Sequence, residues 1–131
     1  MILRQSQILN VCLFLKAKLI IMKPTLTIDE YGTKQWKLHG KLHREDGPAL
    51  ESNDGIRAWY KNGYYHREDG PAVEYSNGSK QWWLNGLRHR ENGPAVEWGD
   101  GDKVWYLNDI WHTEQEYKYE MRSRKLTKLL K

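Results

Sequence analysis

The chain has 131 residues, 39% hydrophobic and 29% charged, which suits a single globular domain with much surface and little interior. One cysteine, Cys12, excludes an internal disulfide and a cysteine-based zinc site, and fits a reducing compartment such as the cytoplasm. The net charge of +4 divides into +4 over residues 1–23, −3 over 24–112 and +3 over 113–131, so the middle of the chain is not built to neutralise phosphates and nucleic acid is a poor ligand for it.

Residues 1–23 form an apolar and basic segment. Ile8 to Met22 is mostly apolar, but Lys16 and Lys18 interrupt it. That is too short and too charged for a membrane span, which needs about 20 apolar residues. No small-residue cleavage pattern follows, so a signal peptide is a poor fit. Met22 offers a second candidate start. Two states stay open: a chain starting at Met1, or one starting at Met22 whose preceding segment is absent from the native protein or disordered.

Residues 24–112 contain a repeat of 23 residues. His-Arg-Glu-Asp begins at His43 and His66, and His-Arg-Glu-Asn at His89. Counted from their first glycine, the units span 32–54, 55–77 and 78–100, with a partial unit over 101–112. The fifth position holds Trp36, Trp59, Trp82 and Trp105, and the twelfth holds His43, His66, His89 and His112. Gly-Pro-Ala recurs at Gly47, Gly70 and Gly93. Ten of the eleven glycines and three of the four prolines occupy repeat positions, which makes the period unmistakable.

The unit reads as β structure. Asn62-Gly63 and Asn85-Gly86 are tight-turn signals, because both residue types tolerate positive φ. Asn53-Asp54-Gly55, Ser76-Asn77-Gly78 and Asp100-Gly101 supply a second turn at each unit boundary. The segments between alternate: Trp82 and Leu84 take one face, Trp83 the other. Two antiparallel strands per unit follow, with a loop around His-Arg-Glu-Asp-Gly. A third short strand between the Asn-Gly turn and the Gly-Pro-Ala run is left open by the pattern. Strands lie ~4.8 Å apart, so units advance by roughly 10 Å and like residues form ladders. The predicted fold is an all-β repeat: a single-layer twisted antiparallel sheet of stacked β-hairpins with a C-terminal capping helix.

Residues 113–131 supply that basic helix. Thr113 and Glu116 make a Thr-x-x-Glu capping box. Tyr117, Met121, Leu126, Leu129 and Leu130 give an imperfect apolar stripe. The helix either covers the last sheet edge or offers a basic amphipathic surface to an acidic membrane or partner.

A 23-residue unit with an aromatic residue, then Asn-Gly, then a mid-unit His and a boundary glycine resembles the MORN repeat. The likeness covers residues 32 to about 112. The usual pattern has glycine directly after the histidine. Here Arg44, Arg67 and Arg90 take that place, and the chain looks like a divergent MORN-like variant of the kind found in phage, giant-virus and bacterial proteins. The resemblance implies a single-layer hairpin array that binds proteins or, in some members, lipids. A bacterial branch is labelled as antitoxins. It carries over no particular activity.

Candidate residues follow from the ladders. His43, His66, His89 and His112 sit roughly 10 Å apart along the sheet, while zinc needs all ligands at ~2.0–2.3 Å. Hydrogen bonds that order the loops suit them better than a metal. Arg44, Arg67 and Arg90 are expected to pair with Glu45, Glu68 or Glu91, or with acids of adjacent units. A repeated arrangement lacks the convergent, differing roles of a catalytic site, so no catalytic residue and no cofactor is assigned. Trp36, Trp59, Trp82 and Trp105 are read as a structural ladder packing with Leu50, Val73, Val96, Tyr75 and Trp98. Lys37, Tyr60, Trp83 and Tyr106, at the sixth position, take the opposite face. They form either an exposed partner-binding row or a row covered by the sheet's twist or the terminal helix. The functional expectation is a non-enzymatic protein–protein interaction module with an unidentified protein partner. The alternatives are an antitoxin or inhibitor that blocks an enzyme, and a peripheral membrane protein using its basic ends.

Overall fold

The computed structural model describes residues 4–131. Helix α1 spans Gln5–Ile21. The array follows in chain order: β1 (Thr25–Ile28), β2 (Lys34–Leu38), β3 (Lys41–Leu42), β4 (Leu50–Glu51), β5 (Arg57–Ala58), β6 (Tyr60–Lys61) and β7 (Tyr64–Tyr65). Then come β8 (Val73–Glu74), β9 (Lys80–Gln81), β10 (Trp83–Leu84), β11 (Leu87–Arg88), β12 (Val96–Glu97), β13 (Lys103–Leu107), β14 (Ile110–His112) and helix α2 (Glu114–Leu129).

The strands make an open antiparallel sheet of ten strands and two separate two-stranded hairpins. The order β1-β2-β4-β5-β8-β9-β12-β13-β14 follows the chain; off this path β3 pairs with β2, and β6–β7 and β10–β11 form the separate hairpins. A second row of hairpins runs beside this sheet: β2–β3, β6–β7, β10–β11 and β13–β14. Each unit thus has the third strand that the pattern left open, in the residues after the Asn-Gly turn. The first strand serves both rows. Its start pairs within the sheet and its end pairs within the hairpin, with Trp59 or Trp82 at the junction.

Backbone bonds hold the rows together. Trp36, Trp59 and Trp82 donate N–H to Ala49, Ala72 and Ala95, each at 2.8 Å. Successive hairpins are joined by Arg44 N–H to Tyr60 O at 3.2 Å and Arg67 N–H to Trp83 O at 3.1 Å. The tight turns have the expected positive φ, 51° and 84° at Asn62-Gly63 and 50° and 79° at Asn85-Gly86. His39-Gly40 and Asn108-Asp109 adopt the same turn without the signature pair.

The register separates two chemistries. On one side of the sheet Lys34, Glu51, Arg57, Glu74, Lys80, Glu97 and Lys103 stand opposite one another in sequence, alternating in sign. On the other side Gln35, Leu50, Ala58, Val73, Gln81, Val96 and Val104 make a mostly apolar ladder. β2 and β13 are continuous, so Trp36 and Trp105 lie on the charged side and Lys37 and Tyr106 on the apolar side. This corrects the expected packing of the tryptophans with Leu50, Val73 and Val96, which occupy the opposite face. The period of two was legible, but pairing each Gly-Pro-Ala strand to its neighbours required the register.

The small core is split between the faces. Val73 and Val96 are 3% exposed on the apolar ladder, and Ala49, Ala72 and Ala95, each one residue before a ladder residue and so on the tryptophan side, are fully buried. At the C-terminal end α2 starts with the capping box: Glu116 N–H donates to Thr113 Oγ1 at 3.2 Å, and Thr113 N–H to Glu116 Oε2 at 2.8 Å. The helix lies against β13 and β14. Buried Tyr117 donates its hydroxyl to Arg90 O at 2.9 Å and accepts Gly93 N–H at 3.0 Å, tying off the last loop. Leu126, Leu129 and Leu130 are exposed, so only the first half of the helix docks.

The tryptophan ladder bridges sheet, loop and hairpin. Trp82→Ala is expected to cost about 3 kcal/mol, the low end for removing a large aromatic side chain since the ring is half-buried. Urea denaturation followed by far-UV circular dichroism checks this, and an unchanged midpoint contradicts it.

Candidate partner-binding face

The hairpin register places the sixth and eleventh positions together. Tyr60 faces Tyr65, Trp83 faces Arg88, Tyr106 faces Trp111 and Lys37 faces Leu42. The sixth-position residues therefore share one face, as the alternation required. The eleventh-position residues Tyr65, Arg88 and Trp111 were missed. Their signal was available, because a two-residue Asn-Gly turn sets which residues stand opposite.

These side chains form a continuous stack across units. The Tyr60 and Tyr65 ring centroids lie 4.4 Å apart, and those of Tyr65 and Trp83 lie 5.3 Å apart. The Arg88 guanidinium continues the stack at 5.6 Å from the Trp83 ring and 4.0 Å from that of Tyr106. Asp109 holds Arg88 in place through a 2.6 Å bond from Nε, and that bond holds the Asp109 carboxyl below its usual range. Trp83 Nε1–H donates to Gln81 Oε1 at 3.1 Å. Burial and the neighbouring Tyr65 hydroxyl push the Tyr60 hydroxyl well above its ordinary titration range. Tyr75 is raised for the same first reason.

The row is half-buried rather than open, because the return strands bring Tyr65 and Arg88 up against it. Trp111, at the C-terminal end, is 59% exposed. The sheet leaves this aromatic face without a second layer among the described residues. Its rings present apolar edges with polar tips, a composition common in protein contact surfaces.

The opposite face carries the repeated tetrapeptide, and its bonds are internal to the chain. Arg44, Arg67 and Arg90 lay their guanidinium groups on Trp36, Trp59 and Trp82 at 4.0, 3.9 and 3.7 Å from the ring centroids. Each contact is worth ~0.5–1 kcal/mol. Each arginine also closes its own loop. Arg67 donates to Asp69 at 2.8 Å, to Pro71 O at 3.1 Å and to Glu74 at 3.3 Å. Arg90 donates to Asn92 at 3.2 Å, Pro94 O at 3.0 Å and Glu97 at 2.8 Å. The expected partners Glu45, Glu68 and Glu91 are not the ones used, because the guanidinium folds forward over its own loop. A Cβ on Gly70 would sit 3.0 Å from the Arg67 guanidinium carbon, a tight contact that would push the stacked arginine.

The histidines link units. Nδ1 of His43, His66 and His89 accepts the N–H of Asn62, Asn85 and Asn108, each at 3.0 Å. The ring proton then lies on Nε2, which faces Glu45, Glu68 and Glu91 at 3.5, 3.5 and 3.6 Å. His112 has no following unit, and its Nδ1 lies 2.8 Å from Ile110 O. Among the described residues no His, Cys, Asp or Glu side chains converge in threes as a metal would require. Grooves between successive loops are lined by Trp59, Arg44, Asp46, Arg67 and Asp69, whose polar groups are bonded to one another.

No family model, curated protein or solved structure matches this chain.

The Asp46 and Asp69 carboxyls are held below the usual range, first by the bond from Arg44 or Arg67 and then by its charge. A depressed folded-state value gives stability that is present above the unfolded value and is lost as pH falls through the folded one. Asn92 fills the same place in the third unit without titrating. Asp46→Asn with Asp69→Asn is therefore expected to fold at pH 7 and to show a shallower loss of melting temperature below pH 4 than the parent chain. Equal acid slopes in the two proteins contradict the pairing.

Proposed function

We propose that this chain is a non-enzymatic protein–protein interaction module, a divergent MORN-like array that binds a protein partner on its aromatic face. The observation that carries this reading is the unbroken stack Tyr60–Tyr65–Trp83–Arg88–Tyr106, half-exposed on a face without a second layer. Tryptophan, tyrosine and arginine are enriched among the residues that dominate binding energy in protein interfaces, the aromatics because they bury much area for few lost rotamers. The mildly acidic array between basic ends favours protein over nucleic acid. A target enzyme blocked by this face, as by an antitoxin or inhibitor, is the special case of the same reading. The reducing host or bacterial cytoplasm is the setting that a lone thiol suits.

The test is affinity capture with the full chain. One stoichiometric protein is expected with the parent and at least tenfold less with Trp83→Ala, at an unchanged far-UV spectrum. Capture that survives the substitution rejects the face.

One observation favours membrane contact as a second reading. Ile8, Leu9, Val11, Leu13, Phe14 and Leu15 of α1 are all exposed, beside Lys16 and Lys18. Among the described residues no helix is long and apolar enough to cross a membrane, and the apolar side chains of α1 are spread around the helix, so the contact would be a surface one made by these side chains and the neighbouring lysines. Flotation with anionic liposomes that disappears when residues 1–21 are deleted supports this reading; flotation that needs only the array removes it.

A further inference from the structure

The two ends of the array are finished differently. α2 and the Tyr117 hydroxyl close the C-terminal end. The N-terminal end stops at β1, the terminal strand of the sheet, with no strand on its outer side among the described residues. Thr25-Leu26-Thr27-Ile28 is exposed throughout and carries no charge, proline or bulge, the devices that usually keep such an edge from pairing.

The register of β1 fixes which backbone groups are available. Asp29 N–H donates to Thr33 O at 3.1 Å, so in the alternating antiparallel pattern Thr25 and Thr27 also turn their groups towards β2. Leu26 and Ile28 then turn N–H and C=O outward. β2 agrees: Trp36 N–H points away from β1, to Ala49 O.

We infer that β1 pairs with β1 of a second copy of this chain, antiparallel about a two-fold axis through Thr27. Only outward-facing residues can exchange bonds, so Leu26 must stand opposite Leu26, Ile28 or Glu30 of the other copy. Centring on Leu26 sets Ile28, inside the strand, opposite Pro24, which has no N–H, whereas centring on Thr27 moves Pro24 opposite Glu30, beyond the strand. Centring on Ile28 pairs Leu26 with Glu30. Centring on Thr27 pairs Leu26 with Ile28 twice, each pair exchanging two bonds, and sets apolar against apolar. It also sets Thr27 against Thr27, a favourable cross-strand pair. Charge agrees with direction. Lys23 precedes the strand and Asp29 and Glu30 follow it, so antiparallel pairing brings the lysine of each copy near the acids of the other. Parallel pairing would set lysine beside lysine. The contact is isologous and closes at two copies.

Sedimentation equilibrium of the full chain reads the association, and cysteine crosslinking reads the register. The parent protein is expected to show a concentration-dependent dimer. Leu26→Lys with Ile28→Lys is expected to be monomeric with the same far-UV spectrum, since both side chains are already 45% and 60% exposed. In a Cys12→Ser background, Thr27→Cys should oxidise to a covalent dimer at least tenfold more readily than Leu26→Cys. Facing residues at a non-bonded pair lie about 4.5 Å apart at Cα, within disulfide reach. The crosslink introduces no charge, so it stands even if the lysine variant folds poorly. A parent chain that stays monomeric at every concentration, a lysine variant that is folded and still dimeric, or equal crosslinking at residues 26 and 27 overturns the proposal.

Discussion

Each unit is organised around one arginine. Its guanidinium lies flat on the unit's own tryptophan, bonds the carbonyl of the Gly-Pro-Ala proline and holds the acid or amide two residues on. It thereby ties the start of the loop to its end and both to the sheet. Guanidinium suits the task because it is planar, carries several donors and is weakly hydrated, so it stacks and bonds at once. A Cβ on the glycine beside it would press on the guanidinium at about 3 Å, so glycine leaves the stacked arginine undisturbed. With so little core, the loop is held by stacking and hydrogen bonds where a larger domain would use burial.

Coupling between units uses a different device. Each of the first three repeat histidines accepts the backbone N–H of the next unit's tight turn, while the turn itself donates on to the preceding return strand. The same two residue types therefore set the turn's conformation and its attachment. Stability of such an array is close to a sum of unit and neighbour terms, and the ends need their own solutions. The capping box and Tyr117 supply one at the C-terminal end.

The division into faces follows from the strand register and the two-residue alternation. One side receives the tryptophans, the arginines and an alternating stripe of lysines, arginines and glutamates. The other receives valines and alanine below and an aromatic stack above. On the charged side Lys34 and Arg57 pair with Glu51 and Glu74, and Arg67 and Arg90 with the acids of their own units. The aromatic side ends in half-exposed rings with polar tips, a composition common in contact surfaces.

Much of this was readable from residues. The 23-residue period, the Asn-Gly turns, the two-residue alternation that separates Trp82 from Trp83, and the Thr113–Glu116 capping box are local, and local rules predict them because each depends on a few adjacent backbone angles. Other features waited for the tertiary structure. Arg67 folds over its own loop instead of pairing with Glu68, Tyr65 and Arg88 rise against the aromatic row, and Val73 and Val96 lie away from the tryptophan side. Those depend on which strands stand side by side and in what register. Backbone pairing between strands, such as Leu50 with Ala58 and Arg57 with Glu74, decides that, and no residue pattern within one segment contains it.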